Sequence, residues 1–241
     1  MNKLFSTLAV VALSALSLNA QIKEGSITYN MTMEGLPPEQ AAMMGDMELK
    51  STFKNGKALS EISSMMFTNQ TLINEKGMVM LMEQMGNKIA VKQTKEEMEK
   101  EEAKQKEKPV DPKIEYINET KMIAGYECKK AIVTTVGKDK KEEKTEIWYC
   151  DKFENPNIEG KGRGQLIVKG LKGIAFEYSG GQSGMKFKMV AKEVSIEPVP
   201  DSKFELSTEG YKLMTIDELK AIQGGRSVSY THLTLPTKRI V

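Results

Sequence analysis

Apolar and polar residues alternate along most of the chain after position 25. Over 26–33, Ile27, Tyr29, Met31 and Met33 interleave with Ser26, Thr28, Asn30 and Thr32, the two-residue period of a strand with one buried face. The same period predicts strands over 48–53, 58–67, 77–84 and 88–93, separated by Asn55-Gly56, Glu75-Lys76-Gly77 and Gly86-Asn87, which have hairpin-turn chemistry. Further strands are predicted over 113–117, 126–136, 145–150, 174–178 and 186–195. Short strands joined by tight turns imply an antiparallel sheet rather than strand–helix–strand crossovers.

Three stretches leave this pattern. Residues 36–46, opened by Pro37-Pro38, predict a short helix carrying Met43 and Met44, since proline suits a first helical turn. Residues 94–108 predict a second helix, with Thr94 and Glu97 spaced as a capping box and Glu96/Lys100 and Glu102/Lys106 as i,i+4 pairs. Its few apolar residues mark a solvated connector. Residues 215–222 repeat the capping spacing at Thr215 and Glu218. Pro109 and Pro112 follow the middle helix and set a point of subdivision, yet no repeat of fixed period is visible, so one β-rich domain over 21–223 is expected.

The ends read differently. Lys3, the apolar run 4–18 and Ala20 before Gln21 form the pattern of a secretory signal peptide over 1–20. The expected product is exported to the periplasm or beyond and soluble after cleavage; no Cys follows the cleavage point to take a lipid. Residues 224–241 resemble a peptide that ends many unrelated proteins and are expected to be foreign to the fold. That stretch holds His232, the single His of the chain. Setting aside Lys3, Arg226, Lys238 and Arg239 turns 35 bases against 33 acids into 31 against 33. A near-neutral chain disfavours a nucleic-acid partner, and loss of the imidazole removes a His-based triad or zinc site.

Two residue types carry candidate chemistry. A hairpin through 137–141 sets residues whose numbers add to 278 opposite each other, which pairs Cys128 with Cys150. Opposed strand positions come within disulfide reach, and an oxidising compartment favours the bond, at about 3 kcal/mol for a loop of this size. Two free thiols are the alternative; a metal or redox pair wants a C-x-x-C spacing or a His, and neither is present. The same register sets Trp148 against Lys130, placed for a cation–π contact or plain packing. Methionine is abundant, 17 in all, and Met78, Met80 and Met82 share one strand face. Core filling, an adaptable lining for a lipid-like ligand and a thioether site for Cu(I) all fit that pattern. Ser51-Thr-Phe-Lys54 and Ser183-Gly-Met-Lys186 match a Ser-x-x-Lys spacing but lie in predicted strands. No constellation joins nucleophile, base and orienting group, so no enzyme and no cofactor are expected.

Several segments occur together in a familiar order: Gly25-x-Ile27-x-Tyr29-x-Met31; Lys121-x-Ile123-Ala124-Gly125-Tyr126-x-Cys128-Lys129; Glu146-x-Trp148-Tyr149; Lys169-Gly170-Leu171-Lys172-Gly173; Phe204-Glu205-Leu206; and Gly210-Tyr211-Lys212-Leu213-Met214-Thr215. Over about 25–222 the chain resembles a secreted bacterial family, domain of unknown function 4412, which is similar to the LolA/LolB-like lipoprotein carriers. The resemblance implies a mainly β fold, an antiparallel incomplete barrel around an apolar concavity with a few short covering helices. It implies a non-catalytic carrier of a lipid or other hydrophobic molecule, with peripheral membrane contact during ligand exchange. Alternation then selects Met31, Met33, Met78, Met80, Met82, Ile89 and Val91 as the lining, with Met43 and Met44 as cover. A structural or interaction module with a filled core and a methionine-based copper binder are the alternatives.

Overall fold

The computed structural model describes residues 21–35, 47–104, 111–136, 142–156, 168–182 and 185–225. The leader, the 36–46 segment with Met43 and Met44, Pro109, the 137–141 loop, Ser183 and the tail with His232 lie outside them.

The chain builds β1 (Glu24–Glu34), β2 (Met47–Lys54), β3 (Lys57–Ser63), β4 (Phe67–Asn74), β5 (Gly77–Gln84) and β6 (Asn87–Thr94), then helix α1 (Lys95–Lys104). It continues with β7 (Lys113–Ile123), β8 (Tyr126–Val136), β9 (Glu142–Cys150), β10 (Ile174–Gln182) and β11 (Met185–Ser195). A 3-10 turn η1 (Asp201–Phe204), β12 (Lys212–Met214) and α2 (Ile216–Gly225) finish it. All twelve strands join one sheet, ordered β12-β6-β5-β4-β3-β2-β1-β11-β10-β9-β8-β7. The chain thus runs outward from β1 to β6, restarts at the opposite rim with β7, and returns until β11 pairs β1. β7 and β12 remain the outer strands, so the expected incomplete antiparallel barrel is the fold observed.

Two strand assignments differ from the pattern reading. The predicted 58–67 strand is two strands: Ser64 turns the chain, its hydroxyl accepting from the Met66 and Phe67 N–H groups, and β4 follows. The polar residues of β4 hid it. β12 was also unforeseen; three residues paired parallel to β6 are too short to show a period. Both helix starts are as predicted. Thr94 and Glu97 cap α1 reciprocally, and Thr215 and Glu218 cap α2.

Three hairpin turns share one backbone form. Asn55-Gly56, Met85-Gly86 and Ala124-Gly125 all have positive φ at both central residues, the turn whose twist suits a two-residue hairpin. Gly173 has another role: a Cβ there would meet the Cys150 carbonyl oxygen at 2.1 Å, so only glycine lets the lead into β10 pass so close.

The sheet curls. Although β8 and β9 separate them, β7 and β10 are bridged by Lys121 Nζ and Glu177 Oε2 at 2.6 Å, and β7 also contacts β11. Inside the curl sits the main core, with Ile27, Tyr29, Leu49, Phe53, Cys128, Cys150, Phe153 and Phe176 all buried. The Phe153 ring touches Phe53, Tyr126 and Phe176 at centroid distances of 6.1, 5.1 and 5.4 Å. On the outer face, Leu59 and Leu72 are covered by Val199 and Phe204. Lys54 fixes that cover by donating to the Val199 carbonyl at 2.7 Å and pairing with Asp201 at 3.4 Å.

Candidate functional site

The inner face is set by register, and each residue on it can be followed across the sheet. One row runs Tyr29, Leu49, Ile62, Asn69, Met82 and Ile89. The next runs Ile27, Ser51, Ser60, Thr71, Met80 and Val91, and the one below it contains Phe53, Ala58, Ile73, Met78 and Gln93. Beyond the Tyr29 row, Met31 lies between Met47 and Met189, and Met33 opposes Phe187.

Burial divides the predicted lining in two. Met78, Met80 and Val91 are buried in one cluster with Ile73 and Leu219 of α2, against which Met82, Met98, Met214 and Ile216 pack. Those three side chains are core positions, filled by the chain's own second helix. Lys220 of α2 pairs with Glu101 of α1, and Glu101 also accepts from Gln93 Nε2 at 2.7 Å, so the helices are tied to each other and to β6. Met31, Met33, Met82 and Ile89 are instead half-buried. They share that state with Ile62, Tyr178 and Phe187.

These half-buried residues lie toward the end of the sheet that carries the β3–β4 and β5–β6 turns. Tyr178 and Phe187 stack at 5.6 Å with planes 36° apart, and a Cβ at Gly180 would meet the Phe187 ring at 2.7 Å. Gly180 therefore makes room for the ring to lie over β10. Asn69 is the polar member of the strip, its Oδ1 accepting from Thr71 Oγ1 at 3.2 Å. Ile62, Asn69, Tyr178 and Phe187 were absent from the sequence-based lining. The register through Asn55-Gly56 would have located Ile62, but Asn69 required β4 to be recognised.

A charged group lies beside this strip, in the row that joins Trp148, Glu177, Val190 and Asn30. Trp148 lies under Lys121 Nζ at 4.2 Å and Lys130 Nζ at 5.5 Å, while its Nε1 donates to Glu146 at 2.9 Å. The predicted Lys130–Trp148 pairing is thus present, with Lys121 closer. Glu177 is bonded by Lys121 and Lys188; burial pushes its carboxyl up, but these two ammonium groups outweigh it and hold the group below its ordinary range.

Cys128 and Cys150 are buried free thiols. The register is the one expected, since Lys129 opposes Tyr149 and the next step brings the two cysteines together, yet the expected disulfide is not formed. Adjacency alone cannot make the bond, which requires removal of two electrons and two protons. Tyr29 lies nearby, its hydroxyl donating to the Ala175 carbonyl at 2.9 Å and held far above its usual range by burial. Of the two Ser-x-x-Lys matches, Ser51 and Lys54 fall on opposite faces of β2, and Lys54 is occupied by its outer-face partners. Among the described residues, no three His, Cys, Asp or Glu side chains are grouped to hold a metal ion.

No protein-family model matches the sequence, and no curated protein matches it. Solved structures do. PNGF-II is similar at 16% identity and a TM-score of 0.43, over 83% of this chain and 33% of that one, so the chain spans about a third of PNGF-II. LprF from Mycobacterium bovis is similar at 13% identity and a TM-score of 0.32, over 73% of this chain and 88% of that one. A domain assigned to outer membrane lipoprotein sorting, from Vibrio parahaemolyticus, is similar at 12% identity and a TM-score of 0.20, over 76% and 89%. Among the described residues no helix is long and apolar enough to cross a membrane. None of these likenesses bears on what the chain binds.

Proposed function

We propose that the chain is a non-catalytic binding protein of the exported space that holds one hydrophobic molecule, such as a lipid acyl chain, on the inner face of its sheet. The observation that carries this reading is the contrast in burial along that face. Met31, Met33, Ile62, Met82, Ile89 and Phe187 stay half-buried, with Tyr29, Leu49, Met47 and Met189 buried among them, while Ile27, Phe53, Ile73, Met78, Met80 and Val91 in the rows nearer the β2–β3 turn are buried. Covering such a strip with an acyl chain returns about 25 cal/mol per Å² of apolar surface removed from water. Methionine suits the task because its flexible thioether repacks around different shapes. Asn69 offers one polar contact in an otherwise apolar strip. The signal-peptide pattern of residues 1–20 supports an exported location for such a carrier.

A second reading, a module with a filled core, is favoured by one observation: Leu219 already covers Met78, Met80 and Val91. Titration of the purified chain with a fluorescent long-chain fatty acid separates the two. Saturable binding that weakens at least tenfold in Met33→Asp and Ile89→Asp is expected, because a carboxylate beside an acyl chain is costly to desolvate. No saturable binding by the unaltered protein would leave the filled module.

A further inference from the structure

The two cysteines are the buried reactive groups that the binding reading does not use. Both are fully buried, and they occupy one row of the sheet, Lys121 opposite Cys128 and Cys150 opposite Ile174. We propose that Cys128 and Cys150 form a redox-convertible pair, closing to an intramolecular disulfide by exchange with a small-molecule disulfide and reopening under a dithiol reductant.

Three observations point the same way. First, the β8–β9 register, continued one step past Lys129 opposite Tyr149, sets the two positions opposite each other, and opposed strand residues fall in the range of spacing a disulfide needs. Second, the sulfurs already interact. The single Cys128 proton is shared between Cys150 and the Tyr126 carbonyl, the latter at 3.6 Å. Third, the pair is chemically unequal. Cys150 receives a hydrogen bond from Cys128 and another from the Lys152 backbone N–H, which outweigh burial and lower its pKa. Cys128 is raised, by that same bond and by burial. Cys150 is therefore the sulfur that ionises first, and the thiolate is the nucleophile.

The position also supplies a route. Cys150 is the last residue of β9, and Cys128 lies two residues beyond the start of β8, after the Ala124-Gly125 turn. β7, which covers Cys128 from one side, is an outer strand. Fraying of that corner exposes the sulfurs while the rest of the sheet stays paired. With oxidised glutathione, the Cys150 thiolate attacks one glutathione sulfur, the glutathione disulfide breaks, and one glutathione thiolate leaves. Cys128 then loses its proton and attacks the Cys150 sulfur of the mixed disulfide, releasing the second glutathione. The protein gives up two electrons and two protons, and one glutathione disulfide becomes two thiols.

The test uses the full reduced chain, incubated with oxidised glutathione in native buffer, denatured, alkylated and weighed. The expected product has lost two hydrogens, carries neither alkyl group nor glutathione, and returns to two alkylatable thiols after dithiothreitol. Cys128→Ser is expected to accumulate the glutathione adduct on Cys150. Cys150→Ser is expected to react at least tenfold more slowly, a difference that simple packing would not produce. Trp148 emission, two residues along the strand from Cys150, reports whether each variant stays folded and changes on oxidation of the unaltered chain. Two alkylatable thiols after oxidation of folded protein, disulfide-linked dimers in place of the internal bond, or equal rates in the two variants would overturn the proposal.

Discussion

Around Phe153, on the β8–β10 side of the sheet, Phe53, Tyr126 and Phe176 meet edge-on or tilted, and three of the four rings are buried. Around Met80, on the β4–β6 side, the same inner face is filled by Ile73, Met78, Val91 and Leu219, with Met82 and Met98 at the margin. Aromatic rings have fixed shapes and few rotamers, so that core specifies one arrangement. Thioethers bend, so the methionine side fills irregular space and grades into the half-exposed strip. Rigidity sits around Phe153; adaptability sits on the β4–β6 side, where the proposed ligand would lie.

The largest effect should come from emptying the aromatic side. Phe176→Ala is expected to cost about 3–5 kcal/mol, measured by urea unfolding, because rigid neighbours leave the cavity open. Met80→Ala should cost about 2–3 kcal/mol, since its flexible neighbours collapse inward more easily. The sharper comparison is volume-conserving: Met80→Leu should cost less than about 1.5 kcal/mol, and Phe176→Leu clearly more. Equal costs for those two would erase the distinction between the halves.

How far this contrast was legible in the sequence follows from what alternation can carry. Met78, Met80 and Met82 were correctly assigned to one face, and β8 was predicted with its observed bounds. Alternation names a face but not what covers it. Leu219 lies more than a hundred residues from Met80, and no local pattern reports that α2 folds over β5 and β6. The same limit hid Glu177, whose partners Lys121 and Lys188 belong to β7 and β11. Asn69 was missed for another reason: β4 is polar along much of its length, and its strand state is imposed by its neighbours β3 and β5 rather than by its own period.

Next in size is a polar contact within the aromatic side. Tyr29→Phe keeps the buried ring but leaves the Ala175 carbonyl without its 2.9 Å donor. An unsatisfied buried acceptor costs about 1–3 kcal/mol. The expected loss should appear in urea unfolding with an unchanged denaturant slope, since the surface exposed on unfolding is the same.

Smaller again is the pH response of Glu177. Its folded pKa lies below the unfolded value of about 4.3, so its contribution is present above that pH and is lost as the pH falls through the folded value. Unfolding measured between about pH 6 and about pH 3 should therefore lose stability more steeply in the unaltered chain than in Glu177→Gln. Parallel curves would show that Lys121 and Lys188 do not hold the carboxylate in solution.

The smallest expected effect lies in the turns. Asn55 and Met85 occupy the same position of the same turn, with φ of 46° and 48°, each followed by a glycine of positive φ. Asparagine tolerates that left-handed backbone; an unbranched apolar side chain does so at a cost. Met85 is 74% exposed, so its side chain recovers little by burial. Met85→Asn should consequently stabilise the chain by about 0.5 kcal/mol, and Asn55→Met should destabilise it by a similar amount. If Met85→Asn leaves stability unchanged while Asn55→Met lowers it, the methionine side must gain something from Met85 that the turn geometry does not provide. If both are neutral, backbone preference at these tips is too weak to distinguish the two hairpins, and the adaptability of the methionine side rests on its inner face alone.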